Sequence, residues 1–375
     1  MRVKGLLSEA LVPALAAVGL DETPRFQVAQ VADLVDRQAP GLNVDTPSLL
    51  LGLAPEQVAD AQRVLLNAYP PEHAVSLVRV AAGSGDRVWE GSLGQLAEGV
   101  TPHLAVDGAA VAYALFVPAL PYPGSVTALE GVMATLLSPN GCPWDREQTH
   151  LSLRTYLLEE TYEVLDALDQ GDTAKLSEEL GDLLLQIVFH SQIAVRDGEF
   201  RLAEVVNHIV SKLIRRHPHV FGEVTVRDAD EVTRNWERLK AQERARAGQA
   251  ATNPFAGISL ALPALSRAQE LQRRGERFGF KWPDRASAWA KFEEEMREWQ
   301  AAATPAEAQW ELGDVLATLA NVARWDGIDA ESALREANNR FTERLTRLLA
   351  ECAAEGVNLA DLPIEAALAK WRGTA

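Results

Sequence analysis

Apolar residues recur every three or four positions through most of residues 126–375, the period of helices that bury one face. The first 122 residues follow a different rhythm. SLLLGL (48–53) is a short, unbroken apolar run and predicts a buried strand. From Glu56 to Ala68 the spacing of Val58, Ala61, Leu65 and Ala68 predicts a helix. After Tyr69-Pro70-Pro71, the runs VSLVRVA (75–81) and RVWEGSL (87–93) flank the turn-rich AGSGD (82–86), which predicts a hairpin. AVAYALFVP (110–118) predicts one more strand.

Two breaks divide the chain into thirds. PALPYPGS (118–125) carries three prolines and a glycine, which stop regular structure. AQERARAGQAATNP (241–254) is small and polar and ends in a helix stop. The expected organisation is mainly α: a small α/β domain over 1–122, then helical domains over 126–245 and 255–375.

The two helical thirds repeat each other. Glu160, Glu163, Glu179 and Asp182 are echoed by Glu295, Glu298, Glu311 and Asp314, at offsets of 135 and 132 residues. Each quartet ends in Leu-Gly-Asp, at 180–182 and again at 312–314. So long a period signals a duplicated domain rather than a solenoid. In LRTYLLEETYEVLDAL (153–168), Glu160 and Glu163 lie one turn apart at the edge of the stripe Leu157, Thr161, Val164, Leu165 and Leu168. LSEELGDLLLQIVFHSQIA (176–194) is apolar nearly all round and predicts a buried helix, with Glu179, Asp182, Gln186 and His190 as its one polar strip. Glu311, Asp314, Thr318 and Asn321 form the matching strip over 310–323.

Buried carboxylates are costly unless paired or bound to a cation, so two facing pairs predict an ion. Four carboxylates without a thiol are hard donors suited to Mg²⁺, Mn²⁺ or Ca²⁺. A di-iron bundle carries Glu-x-x-His motifs, and here the motifs are Glu-x-x-Glu and Glu-x-x-Asp. Mg²⁺ commonly bridges carboxylates and phosphates, which points to phosphoryl chemistry. A lone ExxE is ordinarily a solvated helix face; the duplication is what favours a site here.

Composition narrows the partners. The 375 residues carry 53 acidic and 36 basic side chains, a formal charge of −17, so a nucleic-acid backbone is disfavoured as a ligand. Cys142 and Cys352 are too few for a disulfide framework and fit a reducing cytoplasm. Arg2 and Lys4 precede an apolar stretch from Ala10 to Leu20, but Ser8, Glu9 and Pro13 interrupt any signal-peptide layout, and no run reaches the roughly 20 apolar residues of a membrane span. Arg154, Lys175, Lys212, Arg215 and Arg216 are candidate phosphate contacts, against the plainer reading of solvated surface charge. Trp144 and Trp282 are candidates to stack on a base or simply to cap the core. His190 reads equally as a ligand or a hydrogen-bonded core residue, and His217 and His219 flank a turn at Pro218.

LEGVMATLLSPNGCPWDREQTHLSLRTYLLEETYEVLDAL (129–168) and LSEELGDLLLQIVFHSQIA, followed by KLIRRHPHVFGEV (212–224) and EVTRNWERLKAQE (231–243), resemble the first domain of MazG-type nucleoside triphosphate pyrophosphohydrolases. ALSRAQELQRRGERFGFKWPD (264–284), KFEEEMREW (291–299), ELGDVLATLANVARWDGID (311–329) and ALREANNRFTERL (333–345) resemble the second. The resemblance implies all-α domains, homodimers whose facing helices complete a four-helix bundle, and Mg²⁺-dependent cleavage between the α- and β-phosphates. It implies the two quartets as metal ligands, Glu159 and Glu294 as residues orienting the attacking water, and Arg340 and Arg344 as phosphate contacts. One departure is Trp310-Glu311, where the family has consecutive acidic residues, as Glu178-Glu179 does in the first copy. House-cleaning of the nucleotide pool is the implied role. SLLLGLAPEQVADAQRVLLNAYPPEHAVSLVRVAAG (48–83) resembles the later half of a tetrapyrrole methylase domain, without an early glycine-rich loop for S-adenosylmethionine. That implies a non-catalytic remnant. Two other readings remain: a nucleotide-sensing regulator without turnover, and a methyltransferase fusion, against which the missing loop argues.

Overall fold

A computed structural model of the chain describes residues 2–20, 25–81, 83–104, 111–246 and 255–374. They fall into two compact units, 1–210 and 211–375. Most of the polar break at 241–254, with Ala82 of the hairpin turn and Ala110 of the last strand, lies outside the described residues.

The first unit opens with α1 (Arg2–Val18), then β1 (Gln27–Gln30), α2 (Val31–Val35), β2 (Ser48–Leu51), α3 (Val58–Leu65), β3 (Ala74–Ala81), β4 (Ser84–Ser92), α4 (Leu96–Val100) and β5 (Val111–Val117). The strands form one sheet in the order β1-β2-β5-β3-β4, with β1 and β2 parallel and every other pair antiparallel. The expected hairpin is β3–β4, with a register irregularity between Leu77 and Val78. Strand alternation sends Leu50, Leu77, Leu115 and Val117 to a core shared with α2, α3 and α4. It sends Leu49, Leu51, Val78, Val80 and Ala114 to the other face, against α1. A sheet covered on both faces is why Ser48–Leu51 reads as unbroken apolar sequence. The Ala10–Leu20 stretch belongs to this packing: Ala10, Ala14, Leu15, Val18 and Leu20 are buried on the sheet. The short edge strand Gln-Val-Ala-Gln of β1 carries no comparable apolar signal, and the pattern misses it.

Helices follow: α5 (Val126–Leu136), α6 (Pro143–Glu147), α7 (Arg154–Gln170), α8 (Thr173–Asp197) and α9 (Leu202–Arg216), within which the two units divide. A tight turn joins α7 to α8. Gly171 takes the left-handed conformation at φ 66°, which a side chain would strain, and Asp172 caps α8 by accepting from the amides of Ala174 and Lys175. Met133, Leu153, Val188, Phe189, Ile193 and Leu202 form the core beneath.

The second unit contains α10 (Pro218–Phe221), α11 (Ala229–Arg246), α12 (Ala264–Glu276), α13 (Arg285–Ala301), α14 (Pro305–Trp325), α15 (Ala330–Ala354) and α16 (Ile364–Gly373). Asp284, Thr304 and Asp329 cap α13, α14 and α15 through their side chains, and Pro305 starts α14 where its missing N–H is harmless. No helix among the described residues is long and apolar enough to cross a membrane.

One expectation is corrected. The all-round apolar α8 is not buried on all sides: Leu180, Leu184 and Ile187 are exposed. The same register is exposed on α14, at Leu312, Leu316 and Leu319. Within its own unit each helix finds packing partners on one side only, so the opposite apolar stripe faces outward.

Leu77 is fully buried on β3, paired on both sides by β5 and β4. Its replacement by alanine is expected to cost about 2–5 kcal/mol in urea unfolding of the sheet-bearing unit, followed by near-ultraviolet dichroism.

Candidate metal centres

α7 and α8 form a helical hairpin, and the quartet sits on their facing sides. Oxygens of Glu160, Glu179 and Asp182 lie within 4.8 Å of one another. Around Mg²⁺ the oxygens on opposite sides are about 4.2 Å apart, so a small side-chain adjustment would suffice to close on an ion. Glu179 is buried at 8% exposure, and Glu160 is half-buried. Burial, then the charges of Asp182 and Glu163, push Glu160 above the usual carboxylate range. Glu179 is pushed up by burial and then by Glu163. Glu163 therefore belongs electrostatically to the group, although it lies outside the tight trio.

The second hairpin, α13 and α14, repeats the arrangement. Oxygens of Glu295, Glu298 and Glu311 lie within 4.8 Å of one another, with Glu295 buried. Burial and then Glu298, Glu295 and Asp314 push Glu311 upward. Hard oxygen donors that hinder one another's ionisation are a donor set fitted to a divalent cation.

The MazG nucleotide pyrophosphohydrolase domain family matches residues 148–221, the segment that holds the first trio. The chain is 42% identical over 237 residues to the nucleoside triphosphate pyrophosphohydrolase/pyrophosphatase MazG of Thermotoga maritima, covering 63% of this chain and 90% of that protein. It is 40% identical over 247 residues to the nucleoside triphosphate pyrophosphohydrolase of Escherichia coli K12, covering 64% of this chain and 93% of that one. This chain belongs to the MazG family. A Mycobacterium tuberculosis nucleoside triphosphate pyrophosphohydrolase is 42% identical over 139 residues, 36% of this chain and 41% of that protein.

The two hairpins carry different cations. Lys175 lies 3.9 Å from Glu179 on α8. In the second hairpin Lys291, on α13, binds both Glu294 and Glu295 at 2.7 Å. Sequence reasoning missed Lys291, although its spacing of three and four residues from those glutamates is the side-chain pairing distance of a helix. The pair holds Glu294 below the usual carboxylate range. Among the described residues Glu159 has no such lysine, and it is exposed beside Glu160.

The other predicted residues divide. Arg154 opens α7 and Lys212 lies on α9, both exposed. Arg215 and Arg216 converge on Glu243 of α11, at 2.7 and 2.5 Å, and hold its carboxyl down at about 2. Arg340 pairs at 3.5 Å with Glu336 on the surface. Arg344 lies over the Trp371 ring at 4.4 Å and donates to the Trp371 carbonyl oxygen. Trp144 is 51% exposed and edge-on to Tyr156, whereas Trp282 lines a cavity of about 290 Å³. His217 precedes α10, places its Nδ1 2.7 Å from the Leu213 carbonyl oxygen and packs edge-on against Trp236.

His190 is a hydrogen-bonded residue of the first hairpin. Its Nδ1 faces Nδ1 of His150 at 2.7 Å, the rings stack, and Nε2 of His150 lies 3.3 Å from Glu199. Two ring nitrogens that close share one proton, so both rings cannot be charged without breaking the contact. Burial and then His150 hold His190 below the ordinary imidazole range. The unfolded chain therefore takes up a proton that the folded chain refuses as pH falls below about 6.5, and stability drops in that window. Urea midpoints at pH 7.5 and 5.5 should differ more for the parent chain than for His190→Gln; equal differences would remove His190 from the account.

Proposed function

We propose that this protein hydrolyses nucleoside triphosphates to nucleoside monophosphate and pyrophosphate with Mg²⁺, Mn²⁺ being the alternative ion. The observation that carries the reading is the convergence of three carboxylates in each of two helical hairpins. The names of the relatives supply the reaction class. Glu160, Glu163, Glu179 and Asp182 would hold one ion set, and Glu295, Glu298, Glu311 and Asp314 the other. A bound divalent cation supplies Lewis acidity toward the triphosphate oxygens and offsets charge on the leaving group.

The chain's own residues do the rest. Glu159 in one copy and Glu294 in the other accept the proton of a water as its oxygen bonds to the α-phosphorus and the bond to the β-phosphate oxygen breaks. Lys291 lowers the proton affinity of Glu294 and occupies one of its oxygens, so Glu294 accepts a proton only after exchanging that contact. Arg154, Lys175, Lys212, Arg215, Arg216, Arg340 and Arg344 are the available cations for the polyphosphate, those with carboxylate partners having to exchange them. Clearing non-standard nucleotides from a cytoplasmic pool is the role this chemistry suits.

The helical domains span 126–245 and 255–375 in this reading, and 1–122 is a non-catalytic appendage. The exposed leucine stripes of α8 and α14 favour a homodimer that completes each hairpin as a four-helix bundle, because such contiguous apolar faces mark association surfaces. Light scattering should show a dimer, and Leu184→Glu with Leu316→Glu should shift it toward the monomer.

Purified protein is expected to release pyrophosphate, not orthophosphate, from some member of a nucleoside triphosphate panel, only with Mg²⁺ or Mn²⁺. Replacing Glu160 and Glu163, or Glu295 and Glu298, by alanine should lower the rate about 100-fold at the working site. Absence of product from every nucleotide by a folded dimer would overturn the reading.

A further inference from the structure

Each carboxylate trio meets a lysine, and the two lysines stand differently toward it. Lys175 precedes Glu179 by four residues on α8 and stops 3.9 Å from its Oε1, beyond hydrogen-bonding reach. On α14 the residue four before Glu311 is Glu307, whose carboxylate accepts from the Ala303 amide at 2.8 Å. The second lysine lies instead four before Glu295, on α13, where the first hairpin has Tyr156 edge-on to Trp144. Lys291 Nζ is 2.7 Å from Oε1 of Glu294 and 2.7 Å from Oε1 of Glu295.

Two charge-assisted bonds of that length make the ammonium part of the second cluster rather than its neighbour. The Glu295 side chain is 8% exposed, so solvent screens the pair weakly. An ammonium and a divalent ion then compete for one set of oxygens. An ion bound to the same Glu295 oxygen would sit about 4–5 Å from the Lys291 nitrogen, a direct repulsion between cations. Loading the second trio therefore requires the ammonium to withdraw. It can do so, because the Lys291 side chain is 30% exposed on a flexible four-carbon stem. Glu179 is comparably buried but holds its lysine at arm's length, so the first trio asks for no such exchange.

We propose that Lys291 is a resident counter-cation of the second trio, which makes the two hairpins load in order. The first trio takes a divalent ion at low concentration, and the second takes one only where the ion outcompetes the ammonium. Ion supply then decides whether one hairpin or both are loaded. The inference rests on the pyrophosphohydrolase reading for the purpose of these sites, but ion binding is measured without nucleotide and without turnover.

The full chain, stripped with EDTA and exchanged into metal-free buffer, is titrated with Mn²⁺, and the free ion is followed by electron paramagnetic resonance. Two classes of site are expected, the second at least about tenfold weaker. Glu160→Gln with Glu163→Gln should remove the tight class, and Glu295→Gln with Glu298→Gln the weak one. Lys291→Met should strengthen the weak class about tenfold and leave the tight class unchanged. Lys291→Gln should do the same and carries the test if the methionine variant does not fold, whereas Lys291→Arg, which keeps the charge, should match the parent. A lysine that only braced the helices would weaken Mn²⁺ binding when removed. Classes of equal affinity, a tight class that belongs to Glu295 and Glu298, no Mn²⁺ binding at all, or a weak class unchanged or weakened by loss of the Lys291 charge would each overturn the proposal. The predicted binding in a chain that cleaves no nucleotide would keep the ordered loading and discard the reaction.

Discussion

Carboxylates that approach within 5 Å across a helical hairpin repel one another, and the arrangement exists only because hairpin packing outweighs that repulsion. In the first copy Val188, Phe189 and Ile193 anchor α8 in the core formed with Met133, Leu153 and Leu202. Gly171 and Asp172 return the chain at the angle that lets α8 face α7. In the second, Thr304 and Pro305 start α14 and Val315, Ala320 and Val322 are buried along it. The helices hold the acids where an ion would relieve them. Raised affinity for protons at Glu160, Glu179 and Glu311 is the visible trace of that constraint.

The two hairpins are not equal. The first places its lysine on the second helix, at Lys175, where the other copy has Glu307; the second places it on the first helix, at Lys291, where the other has Tyr156. Glu307 adds a further negative charge near Glu311. Beyond the acids, the first strip runs through Gln186 to the His150–His190 pair. The second runs through Thr318, which bonds back to its own helix at the Asp314 carbonyl, to Asn321 and a cavity. Trp144 and Trp282 occupy corresponding places after a turn, yet only Trp282 lines that cavity. The same scaffold thus surrounds two acid clusters with different chemistry.

Much of this was legible as pattern. Residues 48–53 and 75–81 carry the β signal because those strands pack on both faces of one sheet, 87–93 carries it through Val88 and Trp89 and the hairpin turn before them, and the 3.6-residue period of α7, α8, α13 and α14 shows in the chain because each buries a stripe. Short elements with few buried residues, β1, α2 and α4, left little pattern to read. Exposure of Leu180, Leu184 and Ile187 was also illegible, since apolarity marks a surface for burial without naming what covers it.

Local spacing determined the rest of what the chain announces: which acids share a helix face, that they occur twice, and that the ion they suit is hard. These follow from periodicity, which any helix imposes on its own sequence. Partners distant in the chain followed no such rule. Glu243 reaching back to Arg215 and Arg216, His150 meeting His190 across forty residues, and Gln272 left with an unpaired oxygen beside Asn321 all depend on how separate helices pack. Only the folded arrangement places those atoms together, because contacts between elements are set by shape and burial rather than by separation along the chain.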